Sequence, residues 1–273
     1  MAGLELVFSA SSTLLEGPEW NKKRQCISCV SIEEGIVYVI YEKTGVVDSF
    51  DIGSQIGCAV WTDDDHLMVA AYDGIISLNV DDGSTEYIGN ILPDKSIRYN
   101  DGKLDPKGRF FIGTTGYKRF AENECCLYSY VNGETKTLIE NVSISNGMGF
   151  SKDNKYMYYI DTPTNKVGRY NYNIETGEVS FDKYIVEVVD GMPDGMCTDH
   201  EGMLWVAQWN GFGLSRWNPE TGEKIGEIKV PVMNVTSCCL GGENMDYLYI
   251  TSAKHDDGTE SEIMAGSLFK YKL

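Results

Sequence analysis

Read for its pattern of apolar and polar positions, the chain divides into short β-rich runs with almost no helical periodicity. Six of these runs share one shape, an apolar stretch that closes on a small residue or just before it. They are Cys26-Ile-Ser-Cys-Val30, His66-Leu-Met-Val-Ala70, Gly108-Arg-Phe-Phe-Ile-Gly113, Lys155-Tyr-Met-Tyr-Tyr-Ile160, Gly202-Met-Leu-Trp-Val-Ala207 and Asp246-Tyr-Leu-Tyr-Ile-Thr251. With Val30, Val69, Ile112, Ile160, Val206 and Ile250 as markers, the copies recur at intervals of 39, 43, 48, 46 and 44 residues. A period of roughly 40–50 residues is that of one four-stranded propeller blade.

Each marker run is followed by another that ends on a bulky residue: Tyr41, Leu78, Tyr130, Tyr170, Trp217, Tyr271. Three of these lead into Asp81-Asp82-Gly83, Asn173-Ile-Glu-Thr-Gly177 and Asn218-Pro-Glu-Thr-Gly222. In such turns Gly supplies a positive φ and Asn or Asp caps the backbone. The reading is all-β: a single six-bladed β-propeller over residues 1–273, built of four-stranded antiparallel blades. The last copy shows only three strands, and Leu4-Glu-Leu-Val-Phe8 precedes the first full copy. That N-terminal strand is expected to complete the last blade, because an open ring would leave an unpaired edge.

Composition narrows the partners. The chain has 23 Lys and Arg against 41 Asp and Glu, a formal charge of −18. Such a surface repels nucleic acid and anionic membranes. The N-terminus has neither a basic region nor a long apolar stretch, so a cytoplasmic location is expected. Eight cysteines could form a disulfide framework, but Cys125-Cys126 and Cys238-Cys239 are adjacent in sequence, and Cys26-x-x-Cys29 has no second pair at zinc-finger spacing. Reduced, buried thiols are expected. His66, His200 and His255 are read as surface residues, and Ser and His form no plausible triad.

Candidate chemistry lies at the start of the innermost strand of each blade, near the channel mouth. The segments are Glu16-Gly-Pro-Glu-Trp20, Asn100-Asp-Gly-Lys-Leu104, Asn146-Gly-Met-Gly-Phe150 and Asp194-Gly-Met-Cys-Thr198. Blades two (Ile56-Gly-Cys-Ala-Val60) and six (Asn234-Val-Thr-Ser-Cys238) carry no carboxylate there. Counting five residues onward aligns Asn100 with Asp105, Asn146 with Ser151 and Asp194 with Asp199. For any one copy, Asp or Asn before Gly is an ordinary turn; four copies in register are not. Two carboxylates and two amides converging on one axis call for a cation between Glu16 and Asp194. Oxygen donors without His or Cys suit Ca²⁺, Mg²⁺ or Mn²⁺; Zn²⁺ is also accepted but not selected.

The segments LLEGPEW (14–20), RYNDGKLDPKGRFFIGT (98–114), SNGMGFS (145–151) and PDGMCTDHEGMLWVAQWNG (193–211) carry a family resemblance across essentially the whole chain. The chain resembles the senescence-marker-protein-30, gluconolactonase and luciferin-regenerating-enzyme family. The resemblance implies a six-bladed propeller with a metal on Glu16, Asn146 and Asp194. It also implies Arg98 and Asn100 as substrate contacts and Asp194 as the acid/base. Where sugar-lactonase members carry a carboxylate after the third-blade GT motif, this chain has Lys118 near the expected position, which suggests a different, even anionic, lactone. Asp101 either braces a turn or joins the site; Tyr117, Trp209 and Phe212 either wall the pocket or pack between blades.

The expected activity is divalent-metal-dependent hydrolysis of a small lactone, the metal polarising the carbonyl and Asp194 moving the proton. A non-catalytic calcium- or ligand-binding propeller and a metal-dependent aryl esterase or phosphotriesterase are the alternatives. Fold alone does not separate them.

Overall fold

The structure, a computed structural model, describes residues 3–255 and 264–273. Its strands begin with β1 (Leu4–Ser9). Blade one is β2 (Leu15–Asn21), β3 (Cys26–Ser31), β4 (Ile36–Tyr41) and β5 (Val46–Asp51). Blade two is β6 (Ile56–Trp61), β7 (His66–Ala71), β8 (Gly74–Asn79) and β9 (Thr85–Gly89). Blade three is β10 (Ile97–Leu104), β11 (Phe110–Gly116), β12 (Cys125–Val131) and β13 (Glu134–Val142). Blade four is β14 (Ser145–Phe150), β15 (Tyr156–Asp161), β16 (Lys166–Tyr172) and β17 (Val179–Glu187). Blade five is β18 (Met192–Thr198), β19 (Leu204–Trp209), β20 (Gly213–Trp217) and β21 (Lys224–Lys229). Blade six is β22 (Asn234–Gly241), β23 (Tyr247–Ala253) and β24 (Ser267–Lys272) with β1 as its outer strand.

Among the described residues these form six four-stranded antiparallel sheets. All six marker residues fall on the second strand of a blade. The expected closure is present: β1 pairs antiparallel with β24, from Leu4 opposite Tyr271 to Ser9 opposite Ser267. Both ends of the chain therefore fasten one blade, and the ring has no free edge at the seam.

Burial grades outward within a blade. β3 is buried at every position, whereas β13 and β17 are mostly exposed. The core is divided among the blade interfaces. One apolar cluster joins Val30, Val37 and Val39 of blade one to Ile56 and Leu67 of blade two. Another joins Leu15 and Ile27 to Tyr249 and Leu268 across the seam.

The hairpin turns carry the expected chemistry. Gly83, Gly177 and Gly222 have φ of 73°, 75° and 73°. The Asn173 side-chain oxygen accepts from the Glu175 N–H at 3.0 Å, and that of Asn218 from the Glu220 N–H at 2.9 Å. At the far end of the innermost strands, Asp105 and Asp199 cap their turns in the same way, Asp105 accepting from the Arg109 N–H at 2.9 Å and Asp199 from the Met203 N–H at 3.0 Å.

All eight cysteines are free thiols. Six are buried as expected; Cys126 and Cys239 are half-buried, on the opposite strand faces from Cys125 and Cys238, and Cys239 packs against the cluster at the seam. No helix among the described residues is long and apolar enough to cross a membrane.

Candidate active site in the channel mouth

The four aligned residues do not precede the innermost strands; they lie within them, at irregularities of the β-ladder. Every innermost strand slips in register against its neighbour at this level: between Glu16 and Glu19, Ile56 and Cys58, Tyr99 and Gly102, Ser145 and Met148, Pro193 and Met196, Val235 and Ser237. A bulge bends the strand and re-aims side chains that regular alternation would send to opposite faces. This accounts for Asn100 and Asp101, consecutive in sequence, both lining one cavity.

The glycines beside these residues are spacers between blades. A Cβ on Gly57 would lie 2.5 Å from the Tyr99 carbonyl carbon and 2.7 Å from the Asn100 oxygen. One on Gly147 would lie 2.6 Å from the Asp194 carbonyl oxygen. The bare backbone therefore lets neighbouring innermost strands close on the axis.

The cavity encloses about 430 Å³ and is lined on its polar side by Glu16, Arg98, Asn100, Asp101, Asn146, Thr162 and Asp194. A relay of hydrogen bonds crosses three blades. Arg98 Nη1 donates to Asn100 Oδ1 at 2.9 Å and to the Tyr99 carbonyl at 2.8 Å. Asn100 Nδ2 donates to Asn146 Oδ1 at 2.8 Å and to the Ser145 carbonyl at 2.8 Å. Asn146 Nδ2 donates to Thr162 Oγ1 at 2.7 Å, and the Thr162 hydroxyl donates to the Pro193 carbonyl, beside Asp194, at 2.8 Å. The relay fixes which end of each amide is oxygen, since reversing one would set donor against donor.

The carboxylates are under strain of a different kind. Burial holds the Glu16 carboxyl well above its usual range, and the charges of Asp194 and Asp101 push it further. Asp194 is raised by burial and by Asp101, with Arg98 opposing. Asp101 is raised by burial, opposed by Lys103 and by the Gly102 N–H, which donates to Oδ1 at 2.7 Å. Glu16 Oε2 accepts from the Gly17 N–H, while its buried Oε1 has no hydrogen-bond partner. The acidic and amide donors lining the cavity are oxygen alone, the chemistry a hard divalent cation takes, although among the described residues no three His, Cys, Asp or Glu side chains come together as a metal-holding group.

The fold thus brings Glu16, Arg98, Asn100, Asn146 and Asp194 into one cavity. Lys118 is not among the lining residues. It is exposed on the loop after β11 at φ 55°, with Nζ 4.8 Å from the centre of the Tyr117 ring. Phe120 lines the cavity from that loop instead. Trp209 is a wall residue; Tyr117 packs on Tyr72 with centroids 4.4 Å apart, and Phe212 is exposed. His66 pairs with Asp63 at 3.0 Å and His200 Nε2 meets the Met245 carbonyl at 3.0 Å. Among the described residues, neither His nor Cys lines the cavity.

Sequence reasoning missed Thr162 and left Asp101 open. The bulge that turns Asp101 inward has no marker of its own beyond the adjacent Gly102. Thr162 opens a short 3₁₀ turn after β15, outside the repeat used for alignment.

A family model described as the SMP-30/Gluconolactonase/LRE-like region matches residues 14–254. Regucalcin of Xenopus laevis is 33% identical over 98% of this chain and 93% of its own. A solved luciferin-regenerating enzyme superposes with a TM-score of 0.91 at 28% identity, over 99% of this chain and 95% of that one. A gluconolactonase of Xanthomonas campestris, at 19% identity, shares the fold with a TM-score of 0.80 over 99% of this chain and 89% of its own.

Proposed function

Because this chain belongs to the SMP-30/gluconolactonase/LRE-like family, we propose that it hydrolyses small lactones at the channel mouth with the help of one divalent cation. The observation that carries the reading is the grouping of Glu16, Asp101 and Asp194 around the relay of Asn100 and Asn146, with Arg98 as their neighbouring cation.

Glu16, Asn146 and Asp194 would hold the cation through side-chain oxygens, calcium first and magnesium, manganese or zinc as alternatives. When bound it supplies Lewis-acid polarisation of a carbonyl. The chain's own residues do the rest. Arg98 and Asn100 orient the lactone at the cavity floor. Asp194 accepts a proton from the attacking water as the new C–O bond forms. It returns that proton to the ring oxygen as the lactone C–O bond breaks, leaving a hydroxy acid. Positioned acid/base help of this kind is worth about 10²–10⁴-fold. Burial and Asp101 raise the Asp194 carboxyl, which strengthens it as a base, whereas a bound cation would lower it. Free thiols at all eight cysteines support a reducing, cytoplasmic setting.

The test is a panel of aldonolactones, aryl esters and a phosphotriester, each assayed with calcium and with chelator. Lactone turnover is expected with metal only, and Asp194→Ala is expected to lower it at least 10²-fold with the circular dichroism spectrum unchanged. Saturable metal binding without any turnover would identify a binding propeller. Turnover confined to aryl esters or the phosphotriester would identify the third activity.

A further inference from the structure

The cavity is polar on its floor and carbon on its walls. Leu14, Ile32, Ile144 and Trp209 line it alongside the carboxylates, and Phe120 and Met192 line it at the rim. Phe120 is 59% exposed and Met192 37% exposed. Large apolar side chains held in solvent at a cavity mouth gain most when something apolar covers them. From this division we infer that the preferred lactone is uncharged and bears an apolar substituent, rather than the ring of hydroxyls of a sugar lactone. The inference rests on the lactone reading of the site and narrows its substrate.

Two further observations carry it. First, the side-chain amides lining the cavity are already engaged with one another and with Thr162. Asn100, Asn146 and Thr162 satisfy one another through the relay, and Arg98 spends Nη1 on Asn100 and the Tyr99 carbonyl. A polyhydroxylated ring buried here would leave several hydroxyls facing Leu14, Ile32 or Ile144, and each unpartnered hydroxyl weakens binding. Second, the loop that reaches the rim adds an aromatic ring and no charged side chain to the lining.

An anionic lactone would need a cation from the rim, and the loop after β11 supplies none. Arg119 on it is paired with Glu124 at 2.6 Å, and Lys118 lies over Tyr117 outside the lining. What that loop presents to the cavity is Phe120. The volume of about 430 Å³ accommodates a five- or six-membered ring with a short alkyl chain.

The experiment has a kinetic arm and a binding arm, both with the intact chain and saturating calcium. γ-Nonalactone, γ-butyrolactone, glucono-1,5-lactone and an alkyl lactone bearing a terminal carboxylate are compared by kcat/KM. γ-Nonalactone is expected to exceed the other three by at least tenfold. In the binding arm, calorimetry follows 2-pentylcyclopentanone, which has the ring, carbonyl and chain but no ester bond, against cyclopentanone. The pentyl chain is expected to tighten binding at least tenfold, and Phe120→Ser and Met192→Ser each to weaken it roughly three- to tenfold. Both are rim substitutions, and the wild-type comparison does not depend on either variant folding.

Preference for glucono-1,5-lactone or for the carboxylated lactone overturns the inference while leaving lactone hydrolysis standing. So does a pentyl chain that adds nothing to ketone binding. Tight binding of the pentyl ketone with no turnover of any lactone supports the apolar selection and overturns the hydrolytic reading.

Discussion

Glu19, three residues beyond Glu16 on β2, shows what the channel does to a single carboxyl. Burial pushes it up to about 7, opposed by the Trp61 N–H, which donates to Oε2 at 2.8 Å, and by Lys103. A carboxyl raised in the folded state binds its proton more tightly there than in the unfolded chain. Its contribution is therefore favourable at and below the unfolded value near 4.5, is lost as pH rises towards about 7, and is level above that. Glu19→Gln keeps an oxygen for the Trp61 N–H and removes the titration. The variant is expected to match the wild type near pH 4.5 and to be more stable by about 1–3 kcal/mol at pH 8, where the wild type must ionise a half-buried acid. Urea unfolding at both pH values checks this; a difference independent of pH would contradict it.

At the scale of the element, the innermost strand does more than supply a side chain. Its ladder is broken at one level in all six blades, and the break carries Asn100, Asn146 and Asp194 to the axis. The neighbouring strand must then approach without a side chain in the way, which is the work of Gly57 against Asn100. Gly57→Ala is expected to push β10 outward, since its methyl would sit 2.5–2.7 Å from the backbone of Tyr99 and Asn100. The cost should be about 1–3 kcal/mol of stability, with a fall in kcat/KM larger than that on Gly226→Ala, on the outer strand of blade five, where an added methyl meets nothing nearer than 3.6 Å. Thermal melts and lactone assays on the two variants separate a local push from general fragility. Equal losses would remove the argument for β6 as a spacer.

For the whole molecule, stability is spread over six interfaces, and the axis is where they all meet. On the proposed reading, a cation there would tie blades one, four and five together through Glu16, Asn146 and Asp194. Calcium at 100 times its Kd is expected to add about 2.7 kcal/mol, a rise in Tm of about 5–10 °C that chelator reverses. The same carboxyls fix the pH dependence. Burial raises both Glu16 and Asp194, with Asp194 and Asp101 adding to the first and Asp101 to the second, so cation binding is expected to release protons and to strengthen with pH. The calcium-induced shift in Tm should be larger at pH 8 than at pH 5; calorimetry at the two values should also show proton release. A shift independent of pH would place the ion elsewhere.

The repeat period, the turn residues and the missing outer strand of the last copy were enough to establish the six blades and their closure through Leu4–Ser9, because each depends on local chemistry and on the rule that sheet edges be covered. The same count grouped Glu16, Asn100, Asn146 and Asp194 around the axis, although Glu16 is the last paired residue before its ladder break and the other three are the first unpaired residues within theirs. Tertiary structure alone decided the rest. Asp101 enters the cavity because a bulge cancels the alternation that would have turned it away. Thr162 enters through a turn outside the repeat. Lys118 lies outside the lining and Phe120 within it because a loop's path is set by what it packs against, Tyr117 on Tyr72 and Arg119 on Glu124, and no periodicity records such contacts.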